Sequence, residues 1–263
     1  MLGIVVLFFV FVFGAIAGSF LNVVILRKNT GESIVWDGSH CFSCGKNLKA
    51  RDLVPIFSFI LSRGRCSYCG SKISWQYPAV EALTGVLALG VYLKYLPLQY
   101  SAFDMAVWAW LMSLFYFSAF SALLLVAVYD YKRKIIDTHF IIIFSVFAVV
   151  PWIFWRLPEP GDFISSFLIA SFFYLMWRLS DGRWMGRGDA NLALPLALFL
   201  GWPLNIAMLF VSFWLGGIAG IFLLLFKNSK FGLKSEIPFG PFLALGAVIV
   251  WYASAFFESF WIW

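Results

Sequence analysis

The 263 residues are 62% hydrophobic and 21% aromatic, and only 12% are charged, about half the share of a soluble domain. This composition excludes a soluble fold with a large core and predicts an all-α polytopic membrane protein. The net charge of +6 raises nucleic acid as a partner, but the basic residues fall where membrane topology alone would put them, so none is inferred.

Eight apolar segments follow in chain order, at about 2–26, 78–96, 104–128, 138–155, 163–179, 190–200, 204–226 and 238–257. A span needs about 20 apolar residues, fewer where the bilayer thins. The sixth is short for a span and fits a broken or re-entrant helix, tolerable only where it is buried in protein or lines a cavity. With the N-terminus outside, 17 of the 19 basic residues fall in cytoplasmic loops and only Lys94 and Arg156 fall outside. Dropping one span would reverse every later loop, so the charge pattern supports about eight transmembrane helices. No basic start precedes the first segment, and Arg27 and Lys28 follow it. Despite the small residues of "AIAGS" around Ala17, it reads as an uncleaved span.

The loop 27–77 is the only sizeable soluble part. The chain therefore divides into a first transmembrane helix (1–26), a cytoplasmic four-cysteine domain (27–77) and a membrane domain (78–263). About 50 residues fold poorly on burial alone and need a staple. "HCFSCGKNL" and "RGRCSYCGSKIS" supply one: Cys41 and Cys44 form one CxxC pair, and Cys66 and Cys69 another. Two such pairs, each followed by a glycine, suit a tetrahedral four-thiolate zinc-ribbon site. Disulfides are the alternative, disfavoured by the cytoplasmic placement. A closed four-thiolate site is structural, so the zinc is a staple and His40 a bystander.

The acidic residues are few enough to take singly. Glu81, in "YPAVEALTG", sits just inside the second segment and is either paired or functional. Glu159 and Asp162 read as interfacial charges. Asp130 closes the third segment and Asp189 opens the sixth, both at the cytoplasmic face. Two carboxylates on one water, one protonated and one ionised, make an aspartic protease. Asp189 could equally cap the helix that follows it. Asp137 and Asp181 are rival partners that spacing does not exclude.

"GSFLNVVILR" (18–27), the paired CxxC loop, "VPIFSFILSRGRCSYCG" (54–70), "ISWQYPAVEALTG" (73–85), "YD" (129–130), "GRGD" (186–189) and "IPFGPFLALGA" (237–247) occur together. The chain thereby resembles the type IV prepilin leader peptidase and N-methyltransferase family, nearly end to end. The resemblance implies a GxGD-type intramembrane aspartic protease of the inner membrane. Its catalytic aspartates map onto Asp130 and Asp189, with Gly186, Gly188 and Glu81 as supporting motif residues. It implies prepilin or pseudopilin substrates, cleaved at the cytoplasmic face after the glycine that ends a basic leader. It also implies methylation of the new N-terminus from S-adenosylmethionine, associated with Gly64 and Arg65, and membrane lipids as partners. Three positions depart from the family pattern: Asn191 stands where lysine is usual, Ile136 where proline is common before Asp137, and Phe42 where proline often follows the first cysteine. Two other readings fit the loop and topology: a non-proteolytic zinc-ribbon assembly factor, and a methyltransferase without protease action.

Overall fold

The computed structural model describes residues 2–95, 103–154, 159–225 and 238–259. Among these the chain is helical, and its only β features are two isolated bridges. Four helices are long and apolar enough to cross a membrane: α1 (Leu2–Arg27), α4 (Phe103–Arg133), α6 (Pro160–Leu179) and α8 (Leu204–Leu225). Between them lie α3 (Gln76–Tyr95), α5 (Thr138–Phe154), α7 (Arg187–Leu200) and α9 (Gly240–Tyr252). The one-turn α2 (Phe57–Leu61) belongs to the first loop, and α10 (Ser254–Ser259) follows α9. Lys227, Lys230, Lys234 and Arg156 of the charge pattern lie outside the described residues.

The chain forms two compact units, residues 1–117 and 118–263. In the first, α1 runs 26 residues, about 39 Å at 1.5 Å per residue, enough for a hydrocarbon core of about 30 Å. It lies against α3 at very close range. A Cβ on Gly14 would sit 2.8 Å from Gly85 Cα, and one on Gly18 would sit 2.8 Å from Glu81 Cα. The small residues of "GAIAG" are therefore a helix-packing stripe of the G-x-x-x-G kind. Asn22 is buried between the same two helices, where it donates to the Tyr77 carbonyl at 3.2 Å and accepts from Gln76 at 3.1 Å. Arg27 is also buried. It donates to the carbonyls of Ser33, Asp37 and Gly38 at 2.7–2.8 Å and pairs with Glu32 at 3.3 Å. The last residue of α1 thus shapes the start of the loop, and the motif 18–27 is accounted for by packing and loop anchoring.

In the second unit α7 is the central helix. It has 14 residues, about 21 Å, and packs against α5, α6, α8 and α9. Leu192, Ala193, Leu196 and Ala197 have no exposed surface. A helix this short, interrupted by Pro195, has most of its length packed in protein, with Asn191 and Leu194 on its open side. Phe144 packs on Phe199 with ring centres 5.5 Å apart, and Phe120 lies edge-on to both Phe199 and Trp251.

Asp162, expected as an interfacial charge, is fully buried. Its carboxylate accepts the N–H of Glu159 at 3.0 Å and of Trp202 at 2.6 Å, so it caps α6 and holds the α7–α8 turn. Asn205 continues this cluster by donating to Ser165 Oγ at 2.7 Å. Satisfied hydrogen bonds offset the cost of burying these groups.

Candidate active site

Asp130 stands in the last turn of α4, and Asp189 in the first turn of α7. Both are buried, at 5% and 7% exposure, and they lie within electrostatic range of one another. No lysine or arginine pairs with either among the described residues.

Backbone donors orient each group. Gly240 N–H, at the start of α9, donates to Asp130 Oδ2 at 3.2 Å. Gly186 N–H donates to Asp189 Oδ2 at 3.2 Å. Asp189 therefore does cap its helix. However, its Oδ1 is buried with no hydrogen-bond partner among the described residues. One oxygen is committed to the cap and the other is left for something else.

The α4–α5 turn completes the site. Lys134 adopts φ 55° and donates its N–H to the Asp130 carbonyl at 2.7 Å, which brings the chain back over the end of α4. Ile136 then lies between two glycines. A Cβ on Gly188 would meet Ile136 Cβ at 2.7 Å, and one on Gly240 would meet Asp130 Oδ2 at 2.6 Å and Ile136 Cδ1 at 3.1 Å. Both positions need glycine for close approach. The rival acids are placed elsewhere: Asp137 accepts His139 N–H at 2.9 Å as the cap of α5, and Asp181 is exposed in the α6–α7 turn. Asn191 is also exposed, on the side of α7 away from buried Asp189. Gly240 and Ile136 are site residues that spacing did not identify. "IPFGPF" was the available signal for the first, and the departure from proline before Asp137 for the second.

In the first unit the four cysteine sulfurs all lie within 4.8 Å of one another, and Cys41 and Cys69 Sγ are 3.9 Å apart. No disulfide joins them. A tetrahedral thiolate site with Zn–S near 2.3 Å has sulfurs about 3.8 Å apart, so the donor set fits such an ion. The two knuckles repeat each other. Gly45 N–H donates to the Cys41 carbonyl at 2.8 Å and Gly70 N–H to that of Cys66 at 2.9 Å. The glycines take φ of 69° and 72°. The N–H groups of Cys44 and Ser43 favour the Cys41 thiolate and lower its pKa to about 6. Lys46 N–H favours the Cys44 thiolate, but desolvation and the adjoining thiols outweigh it and raise that group to about 11. His40 faces Glu32, Nε2 to Oε1 at 3.8 Å, and is not among the clustered donors.

Gly64 and Arg65 open the second knuckle. Gly64 has φ 68°, and a Cβ there would meet the Phe59 ring at 3.0 Å. Arg65 bridges Lys72 through its backbone and its side chain is exposed. A turn beside the cysteines accounts for the conformation of both. Glu81 accepts the N–H of Ile56 at 2.7 Å.

Two family models match the chain: "Bacterial Peptidase A24 N-terminal domain" over residues 12–95 and "Type IV leader peptidase family" over residues 117–221. Together they take in well over half of it. Among curated relatives, a Bacillus subtilis prepilin leader peptidase/N-methyltransferase is 28% identical over 257 residues, 96% of each chain. The Pseudomonas putida protein of the same name is 26% identical, over 90% of this chain and 87% of its own. The one from Myxococcus xanthus is 30% identical, over 87% of this chain and 66% of its own. No solved structure matches the chain. Motifs, buried carboxylates and relatives agree: the chain is a peptidase enzyme and belongs to the type IV leader peptidase family.

Proposed function

We propose that this enzyme removes the basic leader from prepilins or pseudopilins by aspartic-protease chemistry, with Asp130 and Asp189 as the catalytic pair. The observation that carries the reading is the buried juxtaposition of the two, with Asp189 Oδ1 left without a partner. The ionised member takes a proton from a water held between the carboxyls as that water's oxygen attacks the carbonyl of the scissile bond. The protonated member supports the developing oxyanion, and a proton passes to the leaving amine as the C–N bond breaks. Gly186 and Gly240 N–H groups fix the orientation of the two carboxyls, and Ile136 closes the floor between Gly188 and Gly240.

The membrane setting completes the reading. All eight apolar segments span an inner membrane, the N-terminus lies outside, and cleavage occurs at the cytoplasmic face after the leader's glycine. The cysteine knuckles, residues 27–77, hold one structural zinc through Cys41, Cys44, Cys66 and Cys69. That ion supplies folding free energy to a loop too small to fold alone. N-methylation of the new N-terminus from S-adenosylmethionine rests on the relatives' shared name. Gly64 and Arg65 lie in a turn beside the cysteines, and no transfer step is assigned to them. An assembly scaffold would have no use for two buried, unpaired carboxylates, which favours the peptidase.

Incubating membranes that contain the protein with a prepilin bearing a basic leader, glycine and apolar helix tests the proposal. Loss of the leader mass after the glycine is expected. A folded, membrane-inserted enzyme that leaves every such precursor intact would overturn it.

A further inference from the structure

The first loop does not simply project from the ends of α1 and α3. Ile56 N–H donates to Glu81 Oε2 at 2.7 Å. Glu81 backs onto Gly18, nine residues before the end of α1, or about 13 Å inside it. Glu81 stands in the second turn of α3, so its carboxylate holds residue 56 beside the first turns of that helix before the chain returns to the second knuckle at residue 66.

A tight turn makes this contact possible. Phe57 N–H donates to the Pro55 carbonyl at 2.5 Å, and Ile56 has φ 61° and ψ −47°. This is a γ-turn of the rare positive-φ kind, strained for a β-branched residue. The strain persists because Glu81 takes up the Ile56 N–H that the turn leaves pointing at the helices.

The residues on either side of the turn are apolar and turned outward. Leu53, Val54, Phe57, Ile60 and Leu61 are all exposed, the last at 70%, and Trp75 near the start of α3 is 76% exposed. Exposed basic residues bracket them: Lys49 and Arg51 before, Arg63 and Arg65 after. An outward apolar tip beside the first turns of α3, rimmed by cations and a tryptophan, matches an element lying in the headgroup and upper acyl region of an anionic bilayer.

We infer that residues 53–61 form a re-entrant lipid-inserted tip, pinned by Glu81 to α3 and held over anionic headgroups by Lys49, Arg51, Arg63 and Arg65. It makes the cysteine loop a membrane-seated element rather than a free cytoplasmic appendage. This also gives Glu81 a positioning role: it accepts the Ile56 N–H at the apex of the turn.

The test uses the full-length enzyme in vesicles of phosphatidylglycerol and phosphatidylcholine containing a lipid with a diazirine on its acyl chain. After illumination, labelled peptides are mapped by mass spectrometry. Label is expected on α1 and within 53–61, and not on the knuckle 41–47. It is expected to weaken within 53–61, but not on α1, in pure phosphatidylcholine. The double variant Phe57→Asp/Ile60→Asp should lose at least about tenfold of the 53–61 label while α1 stays labelled, and Ile60→Leu should keep it. Absence of label from 53–61 in wild-type protein whose α1 is labelled would overturn the inference. So would its displacement by a saturating apolar pilin helix, since the surface would then belong to protein.

Discussion

The backbone N–H of Gly240 donates to the Asp130 carboxylate at 3.2 Å, across 110 residues of sequence. A Cβ at that position would stand 2.6 Å from the accepting oxygen. Gly240→Ala should therefore displace the carboxylate and slow leader removal by about 10²-fold, the usual cost of a misplacement near 1 Å. Initial rates in proteoliposomes check this. A rate within twofold of wild type would show that the contact does not position Asp130.

Ile136 occupies the space that a side chain at Gly188 would need, with Ile136 Cβ 2.7 Å from that site. Gly188→Ala should lower the cleavage rate by roughly tenfold or more, and adding Ile136→Gly, which removes the opposing Cβ, should recover part of the loss. The four rates form a double-mutant cycle. Strict additivity, with the double variant slower than either single one, would mean that the two residues act independently.

The four sulfurs within 4.8 Å of one another lead to an expectation of one bound metal per chain, with zinc as the proposed ion. Cys44→Ser should lower metal content, measured by elemental analysis of the purified enzyme, and open residues 27–77 to protease. Leader removal should fall less than in the aspartate variants, because the ion stands in no hydrolytic step. Full metal content in a variant lacking all four thiols would refute the site.

Asp52 joins the two halves of the same loop. It accepts Lys49 N–H at 3.1 Å, Tyr68 Oη at 3.0 Å and Ser67 Oγ at 3.3 Å. The Lys49 N–H, helped by the two hydroxyls, holds its carboxyl below the ordinary range, and desolvation together with Asp52 holds the Tyr68 phenol above its own. A carboxyl depressed in the folded state stabilises at pH above its unfolded value, about 3.9, and that contribution is lost as pH falls through the folded value. The difference in loop protease resistance between wild type and Asp52→Asn should be full near neutrality and vanish in acid. A difference that grows as pH falls would have the wrong sign.

Much of the architecture was legible because helix periodicity and apolar length are local. Among the described residues each of the eight apolar stretches is largely helical, and the paired CxxC spacing anticipated the sulfur cluster. What stayed hidden are pairings set by the fold. Asp162 looked like an interfacial charge because nothing near it in sequence reveals the Trp202 N–H it accepts. "AIAGS" resembled a cleavage site because small residues there serve close helix packing. Asp130 and Asp189 stood out as misplaced carboxylates. Their common floor, Ile136 between Gly188 and Gly240, could not be read from any one stretch. Glu81 was correctly flagged as paired or functional, but its partner is a backbone N–H in a strained turn, which no side-chain pattern announces.

Leader removal by Asp130→Asn and Asp189→Asn, each reconstituted beside wild type and scored by mass spectrometry of the pilin N-terminus, bears most directly on the buried carboxylate pair. Each substitution keeps the shape and removes the charge. Each is expected to cut cleavage by at least about 10³-fold, with the double variant hardly worse than either single one, because the pair acts as a unit. Cleavage at near wild-type rate in either variant would contradict the account.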